Sequence, residues 1–176
     1  MPTDSKRSNG VDLSALLERL LDAGVTFILV GGLAAVVQGA PITTLDVDIV
    51  PDRSSENITK LMAFLKTVGA FHRRPDDIVI EPKENDFSGR GHALFTTRLG
   101  PLDILAVIEE GKAYEDLHDH TVDIEFRGHT IRVLDLKRLV ELKRTSRDAK
   151  DKQRLPVLEE TLRQLEEEFE SDKPLS

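Results

Sequence analysis

Residues 27–50 read FILVGGLAAVVQGAPITTLDVDIV. Phe27-Ile28-Leu29-Val30 is a short apolar run suited to a buried strand. Gly31-Gly32 ends it, and an alanine-rich helical stretch from Leu33 to Gln38 is stopped by Gly39 and Pro41. Beyond it, Asp46 and Asp48 alternate with Leu45, Val47 and Ile49. Alternation of period two indicates a strand, 45–50, with one apolar face, so both carboxylates share the other face with Cα atoms about 6.6 Å apart. Two bare carboxylates at that spacing repel, and one is driven to keep its proton unless a divalent cation neutralises the pair. Asp46 and Asp48 are therefore read as a Mg²⁺ site; an Asp-x-Asp standing alone would be read as a solvated strand face. The two glycines supply the context, because they let the backbone turn sharply and let a ligand approach closely. Amides at the start of the following helix form an anion-binding end, so a triphosphate fits there, bridged to the aspartates by metal.

Outward from this segment, the pattern is that of a mixed α/β unit. Before it, VDLSALLERLLDAG has apolar residues at helical spacing and Gly24 at the position of a C-terminal cap. After it, a serine in Asp52-Arg53-Ser54-Ser55 caps the helix SENITKLMAFLKTVGA. Residues 72–92 offer one short strand, Ile78 to Ile80, and a polar loop whose Ser88-Gly89-Arg90-Gly91 is read as a flexible segment or a nucleotide cover. ALFTTRLGPLDILAV is a hairpin turning at Leu99-Gly100-Pro101. Its second strand carries Asp103 among Leu102, Ile104 and Leu105; an acid there is costly to bury unpaired, so its carboxylate should face solvent, a cation or a metal. EEGKAYEDLHDH links to a second hairpin, TVDIEFRGHTIRVL, turning near Arg127-Gly128. Asp135 caps the helix LKRLVELKR, and DKQRLPVLEETLRQLEEEFE is a last helical region with Pro156 near the start of a turn.

With 176 residues the chain is long enough for one sizeable core. The division expected is a disordered stretch 1–10, a single domain 11–170 whose C-terminal helices begin at about 135, and a frayed tail 171–176. The N-terminus MPTDSKRSNG is polar, without an apolar signal region, and no apolar run approaches bilayer length, which predicts a cytoplasmic protein with no membrane partner. The chain has no cysteine, which excludes disulfides, Cys-based zinc sites and thiol nucleophiles. A formal net charge of -8 argues against broad DNA binding. Lys137 to Arg154 is locally basic, the solvated side of helices or a phosphate-binding patch. His118-x-His120 beside Asp119 is read as a solvated loop rather than a metal site.

The order of apolar strand, Gly31-Gly32, short helix, Asp46-x-Asp48 and a third acid, Asp103, on a later strand resembles the nucleotidyltransferase superfamily, the polymerase β-like fold. Within it, the stretches GGLAAVVQGAPITTLDVDIV, FTTRLGPLDILAVIEEGKAYEDL, IRVLDLKRLVELKR and KDKQRLPVLEETL look most like the small bacterial proteins grouped with AbiEii-type toxins. That resemblance runs from about Leu16 to Leu165. Relatives often carry Arg-Thr-Thr where this chain has Ile42-Thr43-Thr44, which removes one phosphate-contacting arginine. They often have a glycine and an arginine where it has Arg147 and Asp148.

The resemblance implies an α/β (α+β) fold of the minimal nucleotidyltransferase type, a mixed sheet flanked by helices with further helices at the C-terminus. It implies an enzyme that moves a nucleoside monophosphate from an NTP to a hydroxyl, with two Mg²⁺ or Mn²⁺ ions held by Asp46, Asp48 and Asp103. Asp103 would also take the proton of the incoming hydroxyl. Gly31, Gly32 and Thr44 would position the triphosphate, and Lys143 and Lys150 would neutralise it, one of them oriented by Asp151. The acceptor is an RNA end, a protein or a small molecule, and the toxin-like group implies a cognate antitoxin as partner. The competing reading is a catalytically inactive nucleotide-binding or regulatory module of the same fold.

Overall fold

The computed structural model describes residues 10–174. The expected disorder of 1–10 lies, but for Gly10, outside the described residues. Seven strands form one mixed sheet: β1 (Phe27–Val30), β2 (Val47–Pro51), β3 (Phe71–His72), β4 (His92–Thr97), β5 (Gly100–Leu105), β6 (Thr121–Phe126) and β7 (His129–Leu134). Their spatial order is β3-β4-β5-β2-β1-β7-β6. The pairs β3–β4, β4–β5, β1–β2 and β6–β7 are antiparallel, while β2–β5 and β1–β7 are parallel. The helices are α1 (Leu13–Asp22), α2 (Gly31–Val37), α3 (Ser55–Thr67), α4 (Tyr114–Leu117), α5 (Leu136–Arg144) and α6 (Ala149–Ser171). The architecture is the expected α/β one.

The central strands are the most apolar, as strands covered on both faces must be. All four residues of β1 are buried, and Val47, Ile49 and Val50 of β2 are fully so. Leu16, Leu17 and Leu20 of α1, Leu61, Phe64 and Leu65 of α3, and Leu139, Val140 and Leu142 of α5 complete the core. Caps fall where local chemistry places them. Asp12, Ser54 and Asp135 accept backbone N–H bonds at the starts of α1, α3 and α5, and Gly24 beyond α1 has φ +72°.

Four expectations are corrected. Ile78–Ile80 is not a strand: Pro75 and Pro82 flank it, Ile78 and Val79 are exposed, and its one ladder-like bond is from the His72 N–H to the Ile80 carbonyl at 2.9 Å. The first hairpin turns at Arg98-Leu99, with Gly100 already paired to Thr97. Asp46 immediately precedes β2, leaving Asp48 as the acid within it. Pro156 lies inside α6, a single helix through Ser171 that takes in the start of the supposed tail. A proline there removes one N–H from the helical ladder, but Pro156 sits on the exposed side while Leu158 and Thr161 pack inward. Burial on α5 therefore holds the helix through it.

One buried amide ties α3 to the central strands. Asn57 accepts from the Thr26 N–H at 2.7 Å and donates to the carbonyls of Thr26 at 2.8 Å and Asp52 at 2.5 Å, the residues bracketing β1 and β2. Asn57→Ala strands these backbone groups and should cost about 2–3 kcal/mol in urea denaturation; an unchanged midpoint would contradict the role.

Candidate active site

The site is assembled by strand register. β2 and β5 run parallel with Asp48 opposite Asp103. Residues paired in register project to the same side, so both carboxylates emerge from one face. Asp46 joins them from the turn leading into β2. Ligand oxygens of Asp46, Asp48 and Asp103 all lie within 4.8 Å of one another, the one such trio of His, Asp or Glu among the described residues. His118 contacts its neighbour Asp119 at 3.4 Å in a 3-10 turn away from this cluster.

Val30 of β1 is in register with Asp48, so the chain must leave β1 directly beside that carboxylate. Gly31 makes the exit. Its φ is +71°, and a Cβ placed there would lie 2.1 Å from Asp48 Oδ2. Only glycine meets both conditions. At Gly32 a Cβ would lie 2.9 Å from Thr44 Oγ1 and 3.2 Å from Arg154 Nη1, so the absent side chain leaves a slot bounded by a hydroxyl and a guanidinium. Both glycines and all three aspartates line a cleft of about 660 Å³. Beside Asp103 the lining is Leu94, Leu105, Val107 and Ile108, with His92 next to them, its Nε2 3.2 Å from the Val107 carbonyl. Another wall carries Lys143, Lys150 and Arg154 from α5 and α6.

The cations are not equivalent. Lys143 Nζ donates to Glu109 Oε1 at 2.5 Å and to Asp151 Oδ2 at 3.3 Å, and Ser146 Oγ also binds Asp151 at 2.7 Å. Burial works against its charged form, but the Glu109 hydrogen bond and the two carboxylate charges outweigh it and leave the Lys143 pKa raised. Lys150 lies close enough to draw the Asp46 pKa down. Arg154 Nη2 donates to the Thr43 carbonyl at 2.5 Å. Among the described residues neither Lys150 nor Arg154 forms an ion pair, in contrast with Lys143.

Arg73, just past the edge strand β3, donates to Asp103 Oδ1 and to the Phe95 carbonyl, at 2.8 and 2.9 Å. The loop 88–91 does not line the cleft. Arg53 instead binds the Phe87 and Gly89 carbonyls. Asp148, at one departure from the toxin-like pattern, caps α6 by accepting the Lys150 N–H at 2.8 Å.

Arg73, Glu109 and Arg154 escaped the reading of the sequence. Arg154 had a usable signal, since it lies four residues after Lys150 and so on the same helical face. Arg73 had none, because strand pairing alone brings it to Asp103.

Burial first, then the Asp103 charge, raises the Asp46 pKa, with Lys150 and Arg73 pulling it down. At Asp48, burial and the charges of Asp46 and Asp103 push the carboxyl from 3.8 up to about 8. Three oxygen ligands that cannot all ionise comfortably are a donor set suited to a hard divalent cation, which relieves the repulsion on binding.

No family model matches the chain, and no curated protein matches it. Solved structures do. The lincosamide antibiotic adenylyltransferase LnuA in its lincomycin-bound form is 17% identical, with 84% of this chain and 94% of that one covered at TM-score 0.54. ANT(2'')-Ia in complex with adenylyl-2''-tobramycin is 13% identical, with 85% and 87% covered at TM-score 0.52. A Thermotoga maritima protein assigned as a nucleotidyltransferase is 21% identical over 89% and 91%, at TM-score 0.49. The likeness to LnuA and ANT(2'')-Ia shows that the chain shares the fold of these adenylyltransferase structures. Among the described residues no helix is long and apolar enough to cross a membrane.

Two outcomes follow from this geometry. The folded chain keeps a proton on Asp48 between 3.8 and about 8 that the unfolded chain has released. Metal-free stability should therefore fall as pH rises through that window, by at most about 1.4 kcal/mol per pH unit. Urea midpoints from pH 5 to 8 should show the decline, Asp48→Asn should flatten it, and a flat wild-type profile would contradict it. Gly31→Ala should destabilise by about 1–3 kcal/mol through backbone strain and displace the Asp48 carboxylate; a wild-type urea midpoint would show the conformation is not required.

Proposed function

We propose that the chain is a metal-dependent nucleotidyltransferase, moving a nucleoside monophosphate from an NTP to an acceptor hydroxyl. The observation that carries this reading is the convergence of Asp46, Asp48 and Asp103 beside the Gly31-Gly32 turn, with Lys150 and Arg154 in the same cleft. Asp46 and Asp48 would hold two Mg²⁺ or Mn²⁺ ions, with Asp103 sharing the one nearer the acceptor. When bound, the ions neutralise charge on the phosphates and on the attacking oxygen.

The chain's own residues would divide the remaining work. Gly31 and Gly32 allow the phosphates to approach the backbone, and the Thr44 hydroxyl borders the slot over Gly32. Lys150 faces the anion. Lys143, held between Glu109 and Asp151, ties both acids to α5 and is itself neutralised by them. Asp103 Oδ1 is bonded to Arg73, and without metal the Asp103 carboxylate also hydrogen-bonds to Asp46 and Asp48; ions that take over those two acids would release it to accept the proton of the acceptor hydroxyl. The acceptor oxygen bonds to the α-phosphorus, the bond from that phosphorus to its bridging oxygen breaks, and pyrophosphate leaves.

Leu94, Leu105, Val107 and Ile108 line the cleft near Asp103, with His92 beside them and Arg73 bonded to Asp103 itself. That largely apolar lining favours a compact acceptor with an apolar face. A small molecule is therefore the acceptor class we favour, the class seen with LnuA and ANT(2'')-Ia. A protein or RNA acceptor would instead suit the toxin of a toxin–antitoxin pair and call for a cognate antitoxin.

With labelled NTPs, Mg²⁺ and separate RNA, protein and metabolite fractions, label should enter the metabolite fraction with release of pyrophosphate. Asp103→Asn should lose at least about 100-fold in turnover while still binding NTP. Asp46→Asn combined with Asp48→Asn should abolish metal-dependent NTP binding in calorimetry. Equal labelling by wild type and Asp103→Asn would refute the catalytic assignment. Label confined to RNA or protein would move the acceptor to the toxin reading.

A further inference from the structure

We infer that Arg154, delivered by the C-terminal helix α6 to the side of Gly32, is a contact for the β- and γ-phosphates of the donor nucleotide. This rests on the nucleotide reading above and adds a residue to it.

Arg154 stands at the glycine turn. Arg154 Nη1 and Thr44 Oγ1 lie 3.2 and 2.9 Å from the point where a Cβ on Gly32 would stand. Both groups border Gly32, and Gly32 and Arg154 line the cleft with the three aspartates, so a phosphate held against the glycine backbone would lie beside the guanidinium. Through Nη2 the guanidinium is already anchored to the Thr43 carbonyl, at 2.5 Å, so little side-chain freedom remains to be lost on binding.

Lys143 has two carboxylate partners and offers an anion little uncompensated charge. Arg154 has no ion pair among the described residues, and a guanidinium with a spare N–H edge is suited to phosphate. Its helical neighbour of the same face, Lys150, lies one turn earlier and is likewise without a carboxylate partner. The loop that passes the slot, Ile42-Thr43-Thr44, has no cation of its own. The positive charge at the glycine turn comes from α6.

The competing role is a tether, in which Arg154 only fastens α6 to the 42–44 loop through the Thr43 carbonyl. The two roles separate by phosphate number. Affinities of ATP, GTP, CTP and UTP and of the matching monophosphates would be measured by calorimetry with Mg²⁺ for wild type, Arg154→Gln and Arg154→Lys, alongside urea midpoints. The expected result is that Arg154→Gln weakens triphosphate binding about 10- to 100-fold and monophosphate binding less than about 3-fold. Arg154→Lys should recover part of the loss, because it restores charge without the fork. Triphosphate affinity within about 3-fold of wild type in Arg154→Gln, or equal losses for triphosphate and monophosphate, would overturn the assignment and leave the tether. A wild type that binds no NTP would overturn the nucleotide reading together with this one. Loss of binding in the Asp46 and Asp48 variants with Arg154→Gln unaffected would overturn this one alone.

Discussion

The pairing of Asp48 with Asp103 across the parallel strands β2 and β5 is the constraint around which the molecule is arranged. A sheet interior is a poor place for carboxylates, and two in register with a third nearby repel through a medium that screens them weakly. The fold accepts this cost in one place and surrounds it with groups that limit it. Arg73 takes one oxygen of Asp103, Lys150 draws down the Asp46 pKa, and Lys143 acts on Asp48. None of these cations comes from the strands that carry the acids. Each is brought by a distant segment, so the charge balance exists only once the tertiary structure has closed.

Glycine at position 31 belongs to the same constraint. Since Val30 lies opposite Asp48, the backbone leaving β1 has to pass within contact distance of that carboxylate. Any side chain there would displace the acid from the trio. The glycine turn and the aspartates are thus one steric unit, in which the conformation of the turn depends on where the carboxylate stands.

Much of this was legible in the sequence because it is local. The run from Phe27 to Val50 states its own strand, helix and second strand, and the Asp-x-Asp spacing pointed to one site although Asp46 lies in the bend before β2. The caps at Ser54 and Asp135 and the second hairpin were legible for the same reason, while the place of Asp103 beside the other acids came from the resemblance and is set by the pairing of β2 with β5. What failed was decided by partners the sequence does not name. Ile78–Ile80 has the composition of a strand but no neighbour to pair with between its two prolines. Pro156 reads as a helix breaker, yet α6 continues through it because Leu158 and Thr161 are buried on α5. Arg73 and Glu109 became site residues through strand pairing and helix docking, neither of which leaves a periodic trace.

The C-terminal helix is the clearest case of position deciding role. Residues 150, 154 and 158 follow at intervals of four and so lie along one stripe of α6. Leu158 is buried in the core, Arg154 is half-buried at the Gly32 slot, and Lys150 is exposed where α6 begins. The stripe rises from the core into the cleft, so the packing of Leu158 sets the height at which Arg154 reaches the glycine turn. Beyond it, Arg163 pairs with Glu160 and Glu167 on the exposed surface, contacts that add little to stability. The first half of α6 is therefore held by burial and serves the cleft. Its basic residues, which by composition alone resemble any solvated helix, take their meaning from the apolar residue that anchors them.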